Sequence, residues 1–373
     1  MKILSIFGTR PEAIKMAPVV KLLKRHPDHF TSVVCVTAQH REMLDQVLSL
    51  FDIRPDYDLN LMRHDQTLAQ VTAGALAALD VTLRAEKPDW VLTQGDTTTA
   101  MVGALAAFYH RIRVGHVEAG LRTWDKFRPF PEEINRRIVD AVCDLHFAPT
   151  EIARENLLRE GVDEASILVT GNTVIDALLD VAGRDHDWRE GELAQVPNDK
   201  RLILVTAHRR ENFGRPLAEI CAALKEIASR YSDVHLIYPV HLNPNVRGPV
   251  FDLLGGVENI TLTDPLEYLT LAKLLKASFL VLTDSGGLQE EAPGLGKPVL
   301  ALREVTERPE GVTAGTVKLV GPHRRKIVEE TARLLDDRAA YELMSRAVNP
   351  YGDGHASERI VAKLRSLALQ VGS

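Results

Sequence analysis

Two doubly wound α/β domains with parallel sheets are the fold this chain predicts, on three observations. Short apolar runs alternate with longer amphipathic ones through residues 1–173, the rhythm of a parallel sheet flanked by helices. After a polar stretch the same rhythm restarts and runs to 355. At 373 residues the chain is long enough for two cores. We therefore expect a first Rossmann-like domain over 1–173 and a second over 174–355. A last helix, within 356–373, is expected to pack back on the first domain. If two such units face each other, their ligands belong in the cleft outside the carboxyl ends of the strands.

In the first domain strands are expected at 3–7, 32–37, 90–93, 114–117, 145–148 and 167–170. Helical patterns at 12–25, 43–50, 67–84, 98–108 and 132–142 lie between them. The opening residues are apolar but stop at Gly8 with no cleavage-type run, so they read as a strand rather than a signal peptide. From Gly183 to Lys200 the chain is polar and without apolar period, which reads as an inter-domain crossing or surface loop. Strands at 202–206, 235–239, 260–263, 279–283 and 299–302 follow, with helices at 216–230, 265–276 and 323–335. No repeat, low-complexity tract or heptad is visible.

Composition narrows the function. Apolar content of 45% and charged content of 26% are those of a soluble globular protein. With 45 basic against 51 acidic residues, the net charge of −6 leaves no footprint for nucleic acid. Cys35, Cys143 and Cys221 are far apart and form no CxxC pair, which fits a reducing cytosol better than a disulfide framework. No HExxH spacing suggests a metal, and no G-x-G-x-x-G follows a strand, so neither metal nor NAD is expected. No apolar run approaches the roughly 20 residues that span a bilayer. The expectation is a cytoplasmic protein that handles a small anion, with no nucleic acid or membrane partner.

The chemistry gathers where strands end. After the run at 279–283, Asp284-Ser285-Gly286-Gly287 leads into a helical pattern at Leu288. Free N–H groups of a first helical turn and the helix dipole suit a phosphate, and glycines let the backbone approach it. Taken alone, Ser-Gly-Gly reads as an ordinary strand-to-helix turn. Arg10, Lys15 and Arg308 change that balance by supplying cations near strand ends. Glu291 stands one turn into the helix, placed for sugar hydroxyls. Asp96, Glu118 and Glu132 each follow a strand or open a helix, and three such carboxylates converging on one cleft would repel and gain proton-transfer character. His208 heads a basic cluster with Arg209 and Arg210 after the second domain's first strand, and His241 repeats that placement after the next.

Eight ordered motifs carry a resemblance that spans nearly the whole chain. They are Gly8-Thr9-Arg10-Pro11-Glu12, Gln39-His40-Arg41, Gln94-Gly95-Asp96, Gly115-His116-Val117-Glu118-Ala119-Gly120-Leu121-Arg122, Phe130-Pro131-Glu132-Glu133, His208-Arg209-Arg210-Glu211, Asp284-Ser285-Gly286-Gly287 and Glu307-Arg308-Pro309-Glu310. The chain thereby resembles the bacterial non-hydrolysing UDP-N-acetylglucosamine 2-epimerases. The resemblance implies a GT-B arrangement, a homodimer and an isomerase that interconverts UDP-GlcNAc and UDP-ManNAc for cell-envelope polysaccharide. It implies elimination of UDP to 2-acetamidoglucal and re-addition, with no cofactor. Asp96, Glu118, Glu132 and His208 match the catalytic positions of that family. Arg10, Lys15, Ser285, Gly286, Gly287, Glu291 and Arg308 match its UDP-binding positions. Gln39, His40, Gln66, Arg209, Arg210 and His241 resemble the site where some members hold a second UDP-GlcNAc as activator. Glu42 and Asp65 depart from that pattern, so activation is expected to be weak or absent. A hydrolysing epimerase that releases ManNAc and UDP, and a GT-B glycosyltransferase, are the competing expectations.

Overall fold

Residues 1–37, 41–61 and 65–371 are described by the computed structural model. By contact the chain separates into two units, Met1–Ala177 with Gly352–Ser373, and Leu178–Tyr351. Each has its own sheet, and among the described residues every strand pairing is parallel.

The first unit holds β1 (Lys2–Phe7), β2 (Thr31–Val36), β3 (Tyr57–Asp58), β4 (Trp90–Gln94), β5 (Arg113–Val117), β6 (Leu145–Ala148) and β7 (Ile167–Val169). Their spatial order is β3-β2-β1-β4-β5-β6-β7. The crossings run through α1 (Arg10–Lys24), α2 (Arg41–Leu50), α3 (Leu68–Glu86), α4 (Thr98–Tyr109), α5 (Glu132–Val142) and α6 (Glu151–Arg159), and α7 (Thr173–Gly183) follows β7. Helices on both faces bury β1 throughout: Ile3, Leu4, Ile6 and Phe7 have no exposed surface. α4 is largely apolar and mostly buried, its Ala100, Val102, Ala104 and Ala107 inaccessible, while Phe108 and Tyr109 at its end reach solvent.

The second unit repeats the design with β8 (Arg201–Thr206), β9 (Val234–Pro239), β10 (Ile260–Thr263), β11 (Leu280–Thr283), β12 (Val299–Ala301) and β13 (Val317–Leu319). Their order is β10-β9-β8-β11-β12-β13. Between them lie α8 (Arg215–Arg230), α9 (Pro244–Leu254), α10 (Tyr268–Ala277), α11 (Gly286–Gly294) and α12 (Pro309–Thr313), with α13 (Arg324–Asp336) and α14 (Arg338–Ser345) after β13. The last helix, α15 (Ala356–Val371), belongs to the first unit and packs on α1.

In both sheets the chain starts in the middle, winds to one edge, and then returns to wind to the other. The reversal falls between β1 and β4 in one unit and between β8 and β11 in the other. Such a switch point splays the two loops at the strand ends and opens a crevice there. The fold thus marks two places for ligand, one per unit. The segment from Gly183 to Lys200 differs from its reading as a plain surface crossing. Trp188, Leu193 and Val196 are buried, and a short 3-10 turn over Gly191–Gln195 packs on β10. Three isolated apolar residues in a polar run are enough to dock a loop, though they form no period. No described helix is long and apolar enough to cross a membrane.

Candidate active site

At the first unit's switch point the loops after β1 and β4 are tied by one buried carboxylate. Thr9 caps α1, and Glu12 closes the capping box by accepting from the Thr9 N–H at 2.7 Å and the Gly8 N–H at 3.1 Å. Its other oxygen accepts the Thr97 hydroxyl at 2.6 Å, beside Asp96. Burial raises the Glu12 carboxyl above its ordinary range, while hydrogen bonds from Thr97, Thr9 and Gly8 pull it down. Gly8 has to be glycine, because a Cβ there would lie 2.0 Å from the Thr37 hydroxyl. Arg10 is half-buried at the first position of α1.

The three carboxylates that the sequence singles out all stand at this end of the unit, but none relies on repulsion from the others. Glu118 follows β5 with φ of 69° and is 8% exposed. Its Oε2 is ion-paired with Lys15 and accepts from Gln94 Nε2 at 3.0 Å and Asn172 Nδ2 at 3.2 Å. Asp96 is ion-paired with Arg136 of α5, and its carbonyl accepts from Asn135 Nδ2 at 2.9 Å. Glu132 opens α5 and keeps one carboxylate oxygen buried with no hydrogen-bond partner. Its neighbour Glu133 is fully engaged, accepting from the N–H groups of Thr123 and Trp124 and from Arg136 Nη1 at 3.2 Å. In place of the mutual repulsion expected from sequence, Glu118 is paired with a cation and amides and Asp96 with a cation, while Glu132 keeps an unpartnered oxygen. Lys15, expected to meet a diphosphate, meets the Glu118 carboxylate.

The second unit's switch point is built around Asp284, which has no exposed surface. Asp284 Oδ2 accepts from the N–H groups of His208 and Arg209, each at 2.8 Å, and from Asn212 Nδ2 at 3.0 Å. Its Oδ1 lies 3.2 Å from His208 Nδ1. Burial lowers His208 from its ordinary range, against the pull of Asp284, and nearby His241 and Arg209 lower it further. His208 stacks on His241 with ring centroids 5.4 Å apart. Arg209 pairs with Glu307 at 3.2 Å, and Arg210 is exposed in the 3-10 turn Arg210–Asn212.

Ser285 is the N-cap residue of α11 and its side chain makes no capping hydrogen bond. Gly286 is buried, Gly287 is exposed, and Glu291 stands half-buried one turn on. Arg308 is paired with buried Glu290, and its Nη1 donates to the Glu307 carbonyl at 3.3 Å. Gly287 is thus exposed at a helix N-terminus, the geometry in which free N–H groups suit an anion, and Arg308 stands against the same helix through Glu290.

Of the residues proposed for an activator, Gln39 and His40 lie outside the described residues, and the Glu42 side chain is likewise outside the description. Gln66 is half-buried and Asp65 exposed in the first unit, with Asp65 at φ of 58°. Arg209, Arg210 and His241 belong to the second.

Sequence reasoning passed over Glu12, Asn135, Arg136, Asn172 and Asp284 as holders of these groups. Two carried a visible signal. Thr9-x-x-Glu12 is a capping-box spacing, and Arg136 stands four residues after Glu132 on one helix face. Asn172 reaches Glu118 from 54 residues away, a proximity that only the sheet creates.

Comparison with known proteins points one way. The family model described as UDP-N-acetylglucosamine 2-epimerase matches residues 21–365. The UDP-N-acetylglucosamine 2-epimerase of Escherichia coli strain K12 is 57% identical over 372 residues, covering 98% of this chain and 99% of that protein. A Listeria monocytogenes structure described as the same enzyme superposes with a TM-score of 0.94 at 50% identity, over 99% of this chain and 97% of that one. The UDP-GlcNAc 2-epimerase of Neisseria meningitidis, solved bound to UDP-GlcNAc, gives 0.88 at 50% identity, over 98% and 99%.

Proposed function

This chain belongs to the UDP-N-acetylglucosamine 2-epimerase family, and from that premise we propose that it interconverts UDP-GlcNAc and UDP-ManNAc by elimination and re-addition of UDP. The C2–H bond and the C1–O bond to UDP break, the proton passes to a carboxylate, and UDP leaves with the C1–O electron pair. The sugar becomes 2-acetamidoglucal. A proton then reaches the other face of C2 while a UDP oxygen rebonds to C1. No redox cofactor or metal enters this balance.

The observation that carries the reading is the carboxylate set of the first unit. Asp96 and Glu118 stand at strand ends with positioned partners, and Glu132 opens α5 with one buried, unpartnered carboxylate oxygen, groups of the kind that proton transfer at a weakly acidic carbon demands. In the second unit His208 and the α11 turn, with Ser285, Gly286, Gly287, Glu291 and Arg308, supply the grip on UDP. Arg10 and Lys15 serve the same reaction from α1, Lys15 by exchanging its Glu118 contact for substrate. The proposal extends to a cytoplasmic homodimer whose product feeds envelope polysaccharide, with weak or absent activation by UDP-GlcNAc.

Incubation with UDP-GlcNAc in D2O, followed by NMR, tests the route. The expected product is UDP-ManNAc carrying deuterium at C2. Epimer without solvent label, or free ManNAc as the main product, overturns it.

A further inference from the structure

β5 places His116 with no exposed surface, two residues before Glu118, and both ring nitrogens are engaged. Nε2 lies 2.8 Å from the Gly95 carbonyl, an acceptor with no proton to give, so Nε2 carries a hydrogen. Nδ1 lies 2.5 Å from Asp140 Oδ1 on α5. The second oxygen of Asp140 accepts from Arg122 Nη2 at 2.7 Å and the Gly120 N–H at 3.3 Å. Burial alone would raise the Asp140 carboxyl, but His116, Arg122 and His146 reverse this and bring it down to about 2. An anion with that surrounding needs a donor at Nδ1 as well.

His146 faces the pair from β6, donating from Nε2 to the Asp140 carbonyl at 2.9 Å, and burial lowers it from its ordinary range. Arg122 is itself anchored at 2.6 Å by Glu160, the residue that follows α6, and Arg137 pairs with the same carboxylate at 2.9 Å. The charge around His116 is thus made up by Asp140, Arg122 and Glu160, with Arg137 half-exposed at the outer end and His146 beside them.

We propose that His116 is a positioning residue, its ring protonated on both nitrogens, which fastens the Gly95–Asp96 turn to α5 through Asp140. Gly95 turns with φ of 72°, so the direction of Asp96 depends on this peptide. α5 holds the same turn a second time through Arg136 and Asn135 on Asp96. α5 also begins with Glu132. One ring therefore sets Asp96 and the helix carrying Glu132 in fixed relation, and its own strand delivers Glu118. The inference rests on the assignment of these acids to proton transfer; the protonation of the ring does not.

Two variants separate grip from mere filling. His116→Gln keeps a donor where Nε2 stands and loses the one at Nδ1, whereas His116→Asn does the reverse. Each variant cuts one end of the tie, and we expect each to lower kcat about 100-fold, the order reached by small misplacements of reacting groups. KM for UDP-GlcNAc stays within about threefold in both, and their thermal midpoints fall together. A loss of kcat below about tenfold in either variant, or a loss that follows Tm alone, overturns the role. In protein labelled with 15N at histidine, the wild type should show one buried ring with both nitrogens protonated, absent in His116→Gln. A ring with one bare nitrogen overturns the inference whatever the substrate is. Absence of epimerisation by the wild type with the ring signals present would instead sink only the functional reading.

Discussion

Asp96 and Glu118 are the residues on which the proposed chemistry turns, and their surroundings differ enough to make separate demands. Among the described residues Asp96 has a single cationic partner, Arg136, so exchange for an amide removes charge with little rearrangement. Asp96→Asn is expected to lower kcat by about 100- to 10,000-fold, the usual range for loss of a general acid or base, with the Kd for UDP changed less than about threefold. Steady-state kinetics and calorimetric titration with UDP measure the two; unchanged turnover would contradict the role. In the other unit, the His208 ring feels the Asp284 charge at 3.2 Å, which opposes the lowering caused by burial. Asp284→Asn removes that opposition, so His208 should titrate at lower pH than in the wild type. A rise, seen by NMR titration, would mean that Asp284 does not stabilise the charged ring. The acids and His208 were legible in sequence as residues at the ends of strands. Their partners were not, because Asn172 meets Glu118, and Asn212 meets Asp284, only after distant strands have aligned.

At the scale of elements the turn after β5 has the least freedom. Gly120 has φ of 84°, and a Cβ there would stand 2.2 Å from the carbonyl oxygen of Ala153 in α6, which is backbone and cannot swing aside. Gly161, at the end of α6, has a similar φ of 85° and open space around it. Gly161→Ala should cost only the left-handed backbone, about 1 kcal/mol, whereas Gly120→Ala adds overpacking and should cost about 3 kcal/mol. For a unit of this size that separates their thermal midpoints by roughly 5 °C, measurable by calorimetry; equal shifts would show that α6 yields freely. Element legibility follows similar physics. Strands such as β8 and β11 read directly because their apolar runs are buried on both faces. α9 did not, since Pro244 and Pro249 argue against a helix in sequence, although Pro244 stands at N1, where its missing N–H costs nothing. β13 has three residues, Val317–Leu319, too few for any period to show.

At the scale of the whole chain, the first unit is made from two stretches 174 residues apart in sequence, and α15 closes it. Ile360 and Leu364 on α15 have no exposed surface and Val361 has 3%, forming the apolar stripe of a docked helix. Asp176 caps that helix, accepting from the N–H groups of Ala356 at 3.2 Å and Ser357 at 2.7 Å and from the Ser357 hydroxyl at 2.6 Å. Arg359 adds a hydrogen bond to the Thr170 carbonyl at 2.9 Å. Three buried aliphatic side chains contribute about 5–8 kcal/mol, which is comparable to the entire net stability of a typical domain. A chain ending at residue 351 should therefore lose the first unit's cooperative melting and all epimerase activity. Its second unit should still bind UDP, because β8–β13 and the α11 turn are complete without α15. Calorimetry with hydrogen exchange assigns the transitions, and a peptide of residues 352–373 added in trans should restore the lost one. If the shortened chain melts as the full one does, α15 is an ornament on a first unit already stable without it.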